Sequence, residues 1–249
     1  MIASRRPSPA PAAPWRAAEE AFRESVTTMP FTVEHDGFAI ARGVISESQR
    51  QVLLAALGDP DGAGSRGVLA LPEVRAWACC AAMTSLVAAE LGRGARPVRA
   101  IFFDKTPASN WLVPWHQDLT IAVASKVEAS GFGPCSVKHG IHHVQPPAAL
   151  LAQMIAVRAP LDDCDASNGA LRVIPGSHRG GRLEPDQIAA ARAAGEEVAC
   201  EAAAGDALLM RPLLLHASSK SVTDRRRRIL HVEYCSGELP EGLSWHEAA

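Results

Sequence analysis

Trp115-His116-Gln117-Asp118 is the segment of this 249-residue chain with the most chemistry in it. In extended backbone, residues two apart share a face, so His116 and Asp118 can offer an imidazole nitrogen and a carboxylate oxygen to one metal ion. The pair alone carries little weight, because a chain with nine histidines meets H-x-D by chance. A third ligand would complete the set of two histidines and one carboxylate that grips non-haem iron(II) on one face. That set leaves the opposite positions open for small molecules and O2.

Arginine spacing selects the third ligand. Where such a site uses 2-oxoglutarate, the second histidine is followed, roughly ten to thirteen residues later, by an arginine whose planar fork holds the far carboxylate of the co-substrate. Of the histidines after Asp118, only His216 has an arginine in that window, with Arg226 and Arg227 both inside it. Strand alternation puts Arg227 and Arg228 on opposite faces, so one of them can enter a barrel, and Arg227 is the candidate. Arg225 and Arg226 of the RRRR run 225–228 then read as a solvated strand start.

These residues need a frame of strands. Alternating or apolar runs at 98–103, 150–157, 171–174, Ala207–Met210 and 228–234 are separated by Pro, Gly, Asn and Asp, and read as antiparallel strands. A further strand is expected over Phe38–Ala41. Upstream, Ser46 and Gln49 form a capping box for a helix that puts Val52, Leu53, Ala56 and Leu57 on one face before Gly58. A second helix is predicted over 72–91, a third over 186–194, and a short one over 15–25. The expected fold is α+β but mainly β: a jelly-roll, cupin-like barrel with helices packed on one sheet. Residues 1–14 are a Pro/Ala-rich arm expected to be flexible, and residues 15–249 one domain. The Gly-, Pro- and His-rich segment 124–147, with His139, His142 and His143, is expected to be a loop over the site.

Three blocks make the chain recognisable: FDKTPASNWLVPWHQD (103–118), LDDCDASNGALRVIPGSH (161–178) and GDALLMRPLLLHASSKSVTDRRRRILHVEY (205–234). Over roughly residues 31–245 it resembles the phytanoyl-CoA dioxygenase family of iron(II)- and 2-oxoglutarate-dependent oxygenases. The resemblance implies a double-stranded β-helix, with His116, Asp118 and His216 as iron(II) ligands and Arg227 as the partner of the 2-oxoglutarate carboxylate. It also places Ser218 near that carboxylate. Arg158 stands where the human-type enzyme has a tryptophan beside the co-substrate. An arginine there could hold 2-oxoglutarate from a second side, face an anionic substrate, or form a buried ion pair with Asp162 or Asp163.

Lys105 and Thr120 are further candidates on the co-substrate side; Asn110, Trp111, Trp115 and His143 are candidates for the substrate. Halogenases on this scaffold replace the carboxylate ligand with a small residue, so Asp118 favours hydroxylation of a C–H bond, with succinate and CO2 released and O2 consumed. Two other readings stay open: a silent barrel that binds without turnover, and a zinc hydrolase built on the same three ligands.

Composition narrows the partners. Lys and Arg number 25 against 27 Asp and Glu, a net charge of −2, which argues against a surface that neutralises many phosphates. No run approaches the roughly 20 apolar residues of a membrane span. The expected partner is therefore a small-molecule substrate, with neither nucleic acid nor membrane. Six cysteines without C-x-x-C spacing read as reduced thiols. With prolines where a signal peptide would be apolar, the expected location is the cytoplasm.

Overall fold

Residues 31–248 are described by the computed structural model; the arm expected over 1–14 and the helix expected over 15–25 lie outside them. The chain opens with β1 (Phe38–Ala41), α1 (Glu47–Leu57), β2 (Gly64–Arg66), α2 (Pro72–Ala78) and α3 (Ala81–Leu91). It continues through β3 (Arg96–Lys105), β4 (Val113–His116), β5 (Ile121–Val123), β6 (Cys135–Lys138), β7 (Ile141–Val144), α4 (Ala148–Leu151) and β8 (Met154–Pro160). After β8 come β9 (Leu171–Val173), α5 (Pro185–Ala194), β10 (Val198–Cys200), β11 (Ala207–Met210), β12 (His216–Ser218) and β13 (Arg227–Cys235).

Two antiparallel sheets make the walls of a double-stranded β-helix: a six-stranded one ordered β1-β11-β8-β13-β3-β2 and a four-stranded one ordered β10-β9-β12-β4. Period-two alternation sorts the large sheet's faces. Ala100, Phe102, Ile155, Val157, Leu230, Val232 and Tyr234 turn outward and pack with Leu53, Trp77, Met83 and Leu86 of the helices. Burying each such side chain is worth on the order of 2 kcal/mol. The helical layer therefore fixes the sheet, and its opposite face, carrying Arg99, Ile101, Phe103, Arg158, Arg227, His231 and Glu233, lines a cavity.

The helices differ from expectation in detail. The Ser46–Gln49 capping box forms, with the Gln49 N–H donating to Ser46 Oγ at 3.3 Å. The buried stripe of α1 runs Gln49, Leu53, Leu57 at i+4 spacing, which leaves Val52 38% exposed. The single helix expected over 72–91 is two, bent by 50° at Cys79–Cys80. There the Tyr234 hydroxyl, from the sheet beneath, donates to the Ala78 carbonyl at 2.9 Å and takes an acceptor at the helix end. No single helix among the described residues is long and apolar enough to cross a membrane. The run 150–157 divides into the end of α4 and the start of β8, because a short apolar run does not by itself tell helix from strand.

The segment expected to be a loop over 124–147 contains a hairpin in its second half, with irregular backbone before it. Strands β6 and β7 meet at His139-Gly140, both at positive φ (52° and 78°), the backbone a two-residue hairpin turn requires. With β5 they make a third sheet ordered β5-β7-β6. This sheet packs on the ends of β3, β8 and β13 through Val98, Ile121, Val123, Val144, Met154 and Cys235.

Candidate metal centre

His116 ends β4 and His216 begins β12, and the two are direct register partners. Their ring centroids lie 4.2 Å apart. Asp118 follows in the loop after β4, held by its own N–H donating to the Pro212 carbonyl at 2.9 Å. Its two carboxylate oxygens stand 3.6 Å from His116 Nε2 and 3.7 Å from His216 Nε2. One donor atom from each residue falls within 4.8 Å of the other two. Among the described residues this is the one such group of histidine, cysteine and carboxylate side chains.

The protonation pattern suits a metal. His116 Nδ1 lies 2.8 Å from the Pro114 carbonyl and His216 Nδ1 2.8 Å from the Leu214 carbonyl. A carbonyl only accepts, so each Nδ1 carries the proton and each Nε2 presents a lone pair toward Asp118. Burial pushes the His216 imidazole down to about 4, against the pull of Asp118, so it is neutral near pH 7. Burial also works against the Asp118 carboxylate, but the attraction of His216 and then His116 outweighs it and holds the carboxyl far below its usual range. For His116, burial is overcome by Asp118 and the pKa rises. Two imidazole nitrogens and one carboxylate, converging on one point at the edge of a cavity of about 380 Å³, fit a divalent first-row ion such as iron(II).

The arginine run divides between ion pairs and the cavity, and Arg226 is a half-buried partner of Asp104 rather than part of a solvated strand start. Arg225 pairs with Asp165, Arg226 with Asp104 and Asp59, and Arg228 with Asp162, all by 2.5–2.7 Å contacts. Arg227 alone of the four turns into the cavity, buried beside Ser218. Its Nη1 donates to the Gly169 carbonyl and lies 3.5 Å from Ser218 Oγ, while its buried Nε has no partner. A buried guanidinium with a donor to spare fits an incoming carboxylate. Burial lowers the Arg227 pKa, yet an arginine stays charged. Gly169, at φ 82°, lets its carbonyl accept from both Arg227 and Ser218.

Arg158 also lines the cavity and forms no pair with Asp162, which Arg228 occupies. Its Nη1 lies 3.2 Å from His231 Nδ1, and its guanidinium sits 5.4 Å from the Phe103 ring. Burial, then Arg227, lower its pKa to about 10. Lys105, the register partner of Arg227 and on the same strand face as Ile101 and Phe103, is fully buried without lining the cavity itself. Its Nζ donates to the Ser219 carbonyl at 2.7 Å, contacts Ser218 Oγ at 3.4 Å and lies over Trp111. Burial, with Arg227 adding to it, brings the Lys105 pKa down to about 8.

Among the remaining candidates, Thr120, Trp111 and His143 line the cavity. Thr120 does so from a loop, since β4 ends at His116. Asn110 does not: its amide clasps Ser221, donating to the carbonyl at 2.9 Å and accepting from the N–H at 2.8 Å. Trp115 does not either, because alternation next to the inward His116 sends it outward, between Arg172 and Arg192.

Several residues of the site escaped the sequence reading. Gln117, between two ligands, is buried and bonds the Leu213 and Gly181 carbonyls and the Leu183 N–H, pinning the H-Q-D segment. His231 and Glu233 continue the inward face that Arg227 begins, a period-two signal that was available. Arg66, Arg99 and Lys138 also reach the cavity, and no spacing rule announces them.

The sequence profile of the phytanoyl-CoA dioxygenase family matches residues 33–229. No curated protein matches the chain. Among solved structures, it is similar to AviO1 from Streptomyces viridochromogenes, at 22% identity over 89% of this chain and 96% of that one, TM-score 0.61. It is also similar to SnoK, a non-haem α-ketoglutarate-dependent carbocyclase from nogalamycin biosynthesis, at 18% identity over 88% and 85% of the two chains, TM-score 0.63. EctD from S. alaskensis, solved with 2-oxoglutarate and 5-hydroxyectoine, shares 18% identity over 86% of this chain and 75% of that one, TM-score 0.64. These likenesses carry the fold.

Proposed function

The chain belongs to the phytanoyl-CoA dioxygenase family, whose enzymes use iron(II), 2-oxoglutarate and O2, and on that premise we propose that it hydroxylates an unactivated C–H bond of a small or medium metabolite. One oxygen atom enters the product hydroxyl and the other the new carboxylate of succinate, with CO2 released. The observation that carries this reading is the placement of the inward Arg227 in the same cavity as His116, Asp118 and His216.

Iron(II), when bound, supplies the redox chemistry that couples 2-oxoglutarate decarboxylation to O2 activation. His116, Asp118 and His216 hold it, and the Pro114 and Leu214 carbonyls keep both imidazoles in the ligating tautomer. Gln117 ties the loop so that Asp118 does not drift from the histidines. Arg227 and Ser218 bind the far carboxylate of 2-oxoglutarate, and Arg158 stands ready to bind it from a second side. Thr120 stands on the co-substrate side, and Trp111 and His143 shape the substrate side, excluding water from the reacting centre. A zinc hydrolase would leave Arg227 with no carboxylate to hold.

Anaerobic titration of the metal-free protein with iron(II) and 2-oxoglutarate tests the proposal. The expected result is a visible charge-transfer band that needs both reagents and is lost in Arg227→Ala at the same co-substrate concentration. Absence of any band in the wild-type protein would overturn it.

A further inference from the structure

Six residues along β13 from Arg227, or about 20 Å of strand, the cavity ends in a second group of charges. Glu233 is bound to Arg99 at 3.0 Å and lies 3.6 Å from His231, so its charge is already committed. Arg66 and Lys138 line the same end, and neither side chain makes a hydrogen bond or ion pair with the described residues. His143, 1% exposed, stands among them. Its Nδ1 is 3.0 Å from the Ile141 carbonyl and carries the proton, so its Nε2 is a buried acceptor, and nothing donates to it. Burial, then the nearby Arg99, Lys138 and Arg66, keep that ring below its ordinary pKa.

The charge count points the same way. Five cationic side chains line the cavity, Arg66, Arg99, Lys138, Arg158 and Arg227, against two carboxylates, Asp118 and Glu233. A divalent ion and the 2-oxoglutarate dianion cancel each other, so a loaded site keeps three positive charges unbalanced. In a concave, partly desolvated site that excess attracts an anion. Between the two charged ends lie Ile101, Phe103 and Trp111, an apolar stretch suited to a ligand body.

Resting on the iron and 2-oxoglutarate reading above, we propose that the substrate is an anion whose carboxylate or phosphate group docks between Arg66 and Lys138, beside His143. The apolar body then spans Phe103 and Trp111 toward the metal centre, and His143 Nε2 accepts from a hydroxyl or N–H of the ligand other than its ionised docking group.

The test uses the protein loaded anaerobically with iron(II) and 2-oxoglutarate, with the charge-transfer band recorded first. Three probes are then titrated by calorimetry: 3-phenylpropanoate, 2-phenylethyl phosphate and the neutral 3-phenylpropanamide. The expected result is that at least one anion binds about tenfold tighter than the amide, as charge-assisted contacts imply. The tighter of the two anions identifies the docking group. In the Arg66→Gln/Lys138→Gln double variant the band remains and the preference disappears. Equal binding of amide and anions, no binding by any probe, or a preference that survives in the double variant would overturn the inference while leaving the metal reading intact. A missing band in the wild-type protein would overturn both.

Discussion

Arg158 and His231 face each other directly in the β8–β13 register, and the guanidinium reaches the imidazole Nδ1 at 3.2 Å. Because arginine only donates, His231 Nδ1 is the acceptor and its Nε2 carries the proton toward Glu233, 3.6 Å away. Glu233 is in turn held by Arg99 at 3.0 Å. Arg158, His231, Glu233 and Arg99 thus form one connected line along the cavity wall, with Arg158 at the end near the metal centre and Arg99 at the end near Arg66.

That line makes Arg158 the residue whose replacement is most informative. In Arg158→Gln the dissociation constant for 2-oxoglutarate is expected to rise roughly tenfold, about 1.4 kcal/mol, the low end for a hydrogen bond to a charged group. Anaerobic titration of the charge-transfer band measures it. An unchanged constant, with substrate-stimulated succinate formation lost, would move Arg158 to the substrate side.

Metal binding should be visible as stability. A ligand that binds only the folded chain stabilises it by about 2.7 kcal/mol at one hundred times its dissociation constant, which for a chain of this size raises Tm by roughly 5–10 °C. Anaerobic differential scanning with iron(II) is expected to show that rise, and a chelator to reverse it. His216→Ala should remove the rise, since the lost imidazole is both buried and central to the donor set. An undiminished rise in that variant would place the ion elsewhere.

Lys105 makes stability depend on alkaline pH. Burial holds its folded pKa at about 8, below the ordinary lysine value of 10.5. Below pH 8 the residue is protonated in both states, and the folded chain carries the full desolvation cost. Between pH 8 and 10.5 the unfolded chain binds the extra proton, so unfolding free energy rises with pH, by about 3 kcal/mol at most. Denaturation of wild type and Lys105→Met across this window should show a difference that grows in favour of the wild type. A constant difference would mean that Lys105 titrates normally.

Gly169→Ala should damage both fold and site. The backbone is at φ 82°, and a Cβ there would lie 2.5 Å from the Ser219 carbonyl oxygen and 3.0 Å from Lys105 Nζ. Positive φ at a non-glycine costs about 1–3 kcal/mol, for which a Tm lower by roughly 2–12 °C is expected. Because the Gly169 carbonyl accepts from Arg227 and Ser218, the 2-oxoglutarate-dependent band should weaken as well. Wild-type stability together with a full band would show that the turn relaxes at no cost.

His116, Asp118 and Arg227 were legible because each obeys a short-range rule: a two-residue spacing keeps Asp118, in the loop just after β4, within reach of His116, and strand alternation turns Arg227 in and Arg228 out. The main strands and the capping box of α1 were legible for the same reason, since their signals lie within a few residues. The bend between α2 and α3 was not, because it depends on the Tyr234 hydroxyl arriving from 156 residues away. The hairpin over 135–144 was hidden by a composition of histidine, glycine and proline that resembles a loop, although His139-Gly140 is a competent turn.

The amino-acid order therefore settles which donor types exist and which of them share a face, since both follow from residue identity and backbone period. It does not settle Asn110, adjacent in sequence to Trp111 of the cavity yet committed to Ser221. Nor does it announce Arg66, Arg99 and Lys138, which meet Glu233 only because β2, β3, β6 and β13 converge on one cavity. Electrostatics acts through space: the charge that a ligand meets depends on strand order and register, and those are decided when distant segments bury their apolar faces together.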